Sequence, residues 1–262
     1  MIIATLVVLG SFDGLAGGQE PFFHVGICSW DATDILVLTP TLGKAFRVVE
    51  TIKGDMEPGE LLVLDELAPP DDVALFRELR ERSQSSPEPP PLMEEGDRMT
   101  VFLLRAGAQH EFLSPQGSPC TDGWQPANGF GDMRFSAVWL RNGESFAFFQ
   151  IGVEEAGLHD FSLTEQELRH QIDVGIQLRV SLDRALELPA DSVARAVQLA
   201  ELVRAGDFIA SSSALKYLST SGSAAGVVLR ELSSDPKLLN LHSEIEAALA
   251  KNDYRNSGLL LF

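Results

Sequence analysis

The chain has 262 residues, 45% of them hydrophobic and 22% charged, which allows one large or two ordinary globular domains and excludes a wholly disordered chain. Its formal net charge of −18 opposes the phosphate backbone, so nucleic acid is excluded as a general partner. No apolar run approaches the ~20 residues of a spanning helix, so no membrane span is expected.

The N-terminal run Met1–Gly10 is apolar and is followed by the small residues Ala16, Gly17 and Gly18. It reads as the end of a secretory signal, although a basic n-region is missing and Asp13 interrupts the pattern; the competing reading is an ordinary first strand. Residues 1–19 are therefore assigned as a signal-like segment and the protein as exported, periplasmic or extracellular. Cys28 and Cys120 are the two cysteines. Export makes a Cys28–Cys120 disulfide the expectation, whereas a cytosolic location makes them ordinary thiols; neither belongs to a C-x-x-C motif.

Asp34–Pro40 is a strand stopped by its proline, and Thr41-Leu42-Gly43 turns the chain. Ala45–Ile52 alternates apolar and charged residues, as a strand with one wet face does. Gly54-Asp55 and Pro58-Gly59 punctuate the connection to Leu61–Leu64, a continuous apolar run that reads as a strand covered on both faces. Seven carboxylates and no Lys or Arg lie between Asp55 and Asp72. They read as a solvated edge that deters strand addition; the alternative is a loose Ca²⁺ site, without a D-x-D-x-D-G spacing to define it. Val73–Arg80 is a short helix, and Ser83–Pro91 an extended Pro-rich loop inserted between strands. Met99–Leu104 is the fourth strand.

The order ATDILV, GKAFRVVETIKGDMEPGELLVL, GDRMTVFLL is similar to bacterial secreted domains of the netrin/TIMP-like OB fold, over about Cys28 to Leu113. The resemblance implies a five-stranded, partly open barrel. It also implies one activity, inhibition of a metalloprotease through a terminal amine and first cysteine. Cys28 is the only residue for that role, and cleavage near Ala16–Gly18 leaves about ten residues ahead of it.

Gly107–Gly131 is irregular and holds His110, Cys120, Asp122 and Trp124. Ser136–Leu140 and Ser145–Gln150 flank Asn142-Gly143, a hairpin signal, with Trp139, Phe146 and Phe148 as core or cross-strand residues. The pattern then turns helical. Thr164…Glu167 fits a capping box, and Leu168, Ile172, Ile176 and Val180 repeat at four. Alternation from Ile172 to Leu182 also fits a strand; cap and length favour the helix, with Gly175 as its weak point. Asp191 caps the next helix, whose apolar stripe holds Val193, Ala196, Leu199, Leu202 and Val203. Further helices follow Asp207, run from Ser223 to Ser233, and cover about His242 to Lys251, with Asp235-Pro236 as a restart. Val197–Leu202 echoes in Val227–Leu232 with four of six positions identical. This tail resembles a short HEAT-like pair, which implies stacked helix hairpins.

His24, His110, His159, His170 and His242 show no zinc spacing, and no P-loop, G-x-S-x-G or G-x-G-x-x-G is present. His159-Asp160 in a loop offers a polarised pair, but adjacent residues of an extended chain point apart and a surface histidine is the favoured reading; the hydroxyls of Ser211-Ser212-Ser213 read as facing solvent or backbone. No catalytic, cofactor or metal residue is assigned. The fold expected is α+β: an OB-like barrel with an added hairpin over 20–160, then a helical HEAT-like domain over 161–262. The function expected is a non-catalytic exported module that binds a protein partner. The alternatives are a hydrolase with acidic and histidine residues in the Gly107–Gly131 region, which a cleft beside His110, Asp122 or His159 would favour, and a metalloprotease inhibitor.

Overall fold

The computed structural model describes residues 25–41, 45–63, 96–108, 111, 114–115, 123–128, 137–141, 144–151 and 155–257. The chain is α+β, a sheet-bearing first part followed by helices. A short helix α1 (Val25–Asp31) precedes β1 (Asp34–Pro40), β2 (Ala45–Lys53), β3 (Leu61–Val63), β4 (Arg98–Arg105), β5 (Ser114–Pro115), β6 (Trp124–Asn128), β7 (Ala137–Arg141), β8 (Glu144–Ile151) and β9 (Glu155–Thr164). Then come α2 (Glu165–Glu187), α3 (Val193–Arg204), α4 (Phe208–Thr220), α5 (Ser223–Ser233), a 3-10 turn at Pro236–Leu241 and α6 (His242–Asn256).

The strands pair antiparallel in the order β3-β2-β1-β4-β7-β8-β9. The long strand β4 forks: Arg98–Val101 pairs with β7, and Leu103–Arg105 with β6. Among the described residues no pairing joins β3 to β9, so the sheet is open. The strands expected at β1, β2, β4, β7 and β8 form. Four elements were not expected: α1, β9, and the short strands β5 and β6 inside the Gly107–Gly131 stretch that reads as irregular; His159-Asp160 lies in β9, with His159 opposite Ala147, rather than in a loop. Leu61–Val63 is not covered on both faces. Leu62 is 1% exposed but Leu61 is 61% exposed, because β3 ends the pairing order and only one of its faces meets the core.

Strand alternation divides the buried residues into two cores. Ile35, Phe102, Leu104, Val138 and Leu140 face α1 and the helices. Leu36, Leu38, Val101, Leu103 and Trp139 face the other way, with Phe46, Val48, Met56, Leu62 and Trp124. The first core is continuous with Leu168, Ile172 and Leu182 of α2 and with the interiors of α3 to α6. Sheet and helices thus share one body of buried apolar surface, the dominant favourable contribution to folding.

Side-chain caps mark the starts of α2, α3, α4 and the 3-10 turn. Thr164 and Glu167 form the full capping box of α2. Asp207 accepts from the amides of Ile209 and Ala210, and Asp235 from Lys237 ahead of Pro236. The cap of α3 is Ser192 rather than Asp191, and Val193 is 66% exposed, outside the stripe of Ala196, Leu199, Leu202 and Val203. Gly175 does not break α2. A Cβ there would lie 2.8 Å from Ser29 Cβ, so the glycine lets α1 approach α2. α3 packs on α4 and α5 on α6; α3 also packs on α5, and α4 on α6. The segments 1–19, 73–80 and 83–91, and the Asn142-Gly143 turn, lie outside the described residues.

Candidate functional site

A cleft of about 460 Å³ opens where the sheet meets α2. Its first wall is the end of α1 and the residues after it, Trp30 to Thr33. The second is the end of β2 and its turn, Lys53, Gly54 and Asp55, with Arg105 from the end of β4. The third is one face of α2: Ile176, Arg179, Val180 and Asp183 stand at i, i+3, i+4 and i+7, the spacing that aligns side chains on one side of a helix.

Beneath the second wall lies a closed polar clamp. Asp34 is completely buried. Arg105 grips it with two bonds, Nε to Oδ2 at 2.9 Å and Nη2 to Oδ1 at 2.8 Å, and Trp124 Nε1 donates to Oδ2 at 2.9 Å. Such bidentate charge-assisted bonds are the strong ones. Arg105 also bonds the exposed Asp55 and lies 5.2 Å from the centre of the Trp124 ring, a cation–π contact. The Arg105 guanidinium beside Asp55 holds that carboxyl below its ordinary range, and the two carboxylates raise the arginine further. Gly54 turns the chain above the clamp at φ +104, and a Cβ on it would overlap Asp34 Oδ1.

The opposite wall carries a second network. Arg179 donates from Nε to Asp183 at 3.0 Å, lies 3.7 Å from Asp31 Oδ1 and sits 5.7 Å from the centre of the Trp30 ring. Asp31 Oδ2 accepts from the Glu111 amide at 3.0 Å. The Glu111 carboxylate in turn accepts from Ser213 Oγ at 2.9 Å and from Lys216 Nζ at 3.0 Å, which raises the pKa of that lysine. Of the serine triplet, then, Ser213 bonds the sheet-bearing part and Ser211 the Val203 carbonyl, and both are buried.

Between the networks stands Lys53, half-buried. Its Nζ donates to the Ser29 carbonyl at 3.3 Å, and it makes no ion pair among the described residues. Burial lowers its pKa, and the nearby Arg179 charge lowers it further, against opposition from Asp183, Asp31 and Asp34.

Cys28, the one described cysteine of the expected disulfide, is fully buried in α1, its thiol turned away from solvent. Its expected partner Cys120 lies outside the described residues, as do His24, His110 and Asp122. His170 and His242 are exposed, the latter 4.0 Å from Glu246. Among the described residues no three His, Cys, Asp or Glu side chains converge on a metal position, and no helix is long and apolar enough to cross a membrane. Sequence reasoning missed the cleft entirely. The signal it carried was a charge abutting each apolar strand run: Asp34 before Ile35, Lys53 after Ile52, Arg105 after Leu104. No protein-family model matches the chain, and no curated protein or solved structure matches it.

Proposed function

We propose that the chain is a non-catalytic, exported binding module, with an OB-like sheet bearing a HEAT-like pair of helix hairpins whose outer face takes a protein partner. The observation that carries the reading is the equivalence of the echoed hexapeptides. In Val197–Leu202 and Val227–Leu232 the shared valine is exposed, both shared leucines are buried and the shared glutamate is exposed. The hairpins also stack first helix on first and second on second, the arrangement of α-solenoids, whose extended faces bind other proteins. Val193, Val197 and Val227 remain 66%, 44% and 56% exposed on α3 and α5. The export component rests on the apolar Met1–Gly10 run and the small residues after it alone.

The test uses the full chain carrying V193E, V197E and V227E together. Exposed sites tolerate charge, so the variant should keep the wild-type circular dichroism and melting temperature. A partner cross-linked to the wild-type chain in the host envelope fraction should be lost from the variant. A wild-type chain that captures no partner, or a variant that captures the same partner equally, defeats the reading.

A further inference from the structure

We infer that the apolar segment Leu259-Leu260-Leu261-Phe262 docks on the exposed valines Val193 and Val227 of its own chain, and so occupies the outer face of α3 and α5. The docking needs no partner and is independent of the partner reading; its consequence, that a partner must displace the segment, rests on that reading.

Residues 258–262 lie outside the described residues, and the last turns of α6 fix where they begin. Asn252 Nδ2 donates to the carbonyls of Leu218 at 3.1 Å and Ser221 at 2.8 Å, and Arg255 Nη1 donates to that of Thr220. The end of α6 therefore lies beside the end of α4 and the start of α5. Arg230 Nη2 donates to Asp253 Oδ1 at 2.7 Å, and a Cβ on Gly226 would lie 2.9 Å from Asn252 Oδ1, so α5 flanks α6 here. Ser257 stands four residues after Asp253, on the same side of the helix, and the segment starts out on the side of α5. Helix α3 begins at this end too: a Cβ on Gly222, the N-cap of α5, would overlap Asp191 Oδ1 just ahead of α3.

Val193 opens α3, Val227 lies in the second turn of α5, and both are exposed. Five extended residues span about 17 Å, enough to cross the ~9 Å between neighbouring helix axes to α5 and to approach α3. Phe208 and Leu239 are also exposed, but Phe208 opens α4 and Leu239 precedes α6, each about 20 Å away along its helix. A run of four large apolar side chains gains by leaving water, and the two valines are the apolar surface its tether reaches on the neighbouring helices. So short a tether gives a local concentration of about millimolar, which favours the chain's own face over that of a second copy.

The experiment places p-benzoylphenylalanine at position 262 of the full chain, irradiates it and maps the cross-links by mass spectrometry. Cross-links should form within one chain, to peptides holding Val193 or Val227. V193E and V227E together should cut their yield about fivefold or more, because docking would then bury a carboxylate against leucines. Should that variant fold poorly, the reciprocal probe gives the same answer: p-benzoylphenylalanine at position 227 should cross-link to the peptide holding Leu259 to Phe262. Cross-links confined to other elements, cross-links between two copies, a yield unchanged by the glutamates, or a reciprocal probe that misses the segment would each overturn the inference. Each outcome is read without a partner, so a chain that captures none defeats the earlier reading and leaves this one standing.

Discussion

Asp34 and Lys53 face each other across β1 and β2, one residue out of register, since Lys53 pairs with Ile35. Both are charges at the end of an apolar strand. Asp34 is completely buried and, among the described residues, receives three charge-assisted bonds; Lys53 is half-buried and among them bonds one carbonyl. A buried charge enclosed by its own partners holds structure together, because its removal strands those partners. A charge whose burial outweighs the attraction of its neighbours contributes little to the fold. The molecule places the two kinds side by side, and substitutions should separate them.

The largest effect should come from D34A. It leaves Arg105, among the described residues, with the exposed Asp55 alone, and it removes the carboxylate that accepts from Trp124 Nε1. Arg105 is 41% exposed and keeps Asp55, so the cost is that of the lost charge-assisted hydrogen bonds, about 2–3 kcal/mol. Urea unfolding should show that loss, with D34N intermediate because it keeps an acceptor without the charge. A loss no larger than that of a surface substitution would mean that the clamp is not structural.

G54A comes next, at about 2 kcal/mol, from positive φ and from overlap with a carboxylate that Arg105 cannot release. The comparison gives it a sharper form. In a D34A background the overlap with the carboxylate vanishes, leaving the backbone strain and the tight 3.1 Å approach to the Cβ of residue 34, so the double variant should lose less than the sum of the two single losses. Strict additivity would show that Gly54 and Asp34 do not communicate. W124F is milder, about 1 kcal/mol: the ring stays beneath Arg105, and Asp34 loses one donor of three.

Local signals made much of the fold legible and none of the cleft. Thr164 and Glu167, Asp207 and Asp235-Pro236 announce helix starts because caps act within three residues. Strands β1, β2 and β4 show through their apolar runs. Helix α1 did not show: it has seven residues, includes Gly26, Val25 and Ile27, and is held by packing on α2 rather than by propensity. The Ile172–Leu182 stretch reads as either period until cap and length decide, and Gly175 looks like a weakness because the close approach of Ser29 lies 146 residues away in the chain. The cleft is assembled in the same long-range way. Trp124 meets Asp34 across 90 residues and Arg105 meets it across 71, and no periodicity encodes such pairings.

The smallest effect is the most decisive for the comparison, because its sign should differ from all the others. K53M removes the ammonium and keeps a stem of similar length. It loses the bond to the Ser29 carbonyl and the attraction of Asp183, Asp31 and Asp34, and it removes the cost of burial and the repulsion from Arg179. The lowered pKa of Lys53 says that the surroundings as a whole favour the neutral side chain. K53M should therefore be as stable as the wild type at pH 7 or more stable, by about 1 kcal/mol at most. The pH dependence carries the sign. The folded-state pKa lies below the ordinary 10.5, so between the two values the unfolded chain binds more protons and wild-type stability rises with pH. K53M has no such group, and the other titrating residues are common to both proteins. The stability advantage of K53M should accordingly be largest near neutrality and shrink as pH climbs through the folded-state pKa of Lys53. Parallel urea titrations at pH 7 and pH 9.5 measure it. A K53M protein clearly less stable than the wild type at pH 7 would make Lys53 a structural cation like Arg105, and the contrast between the two charges would disappear.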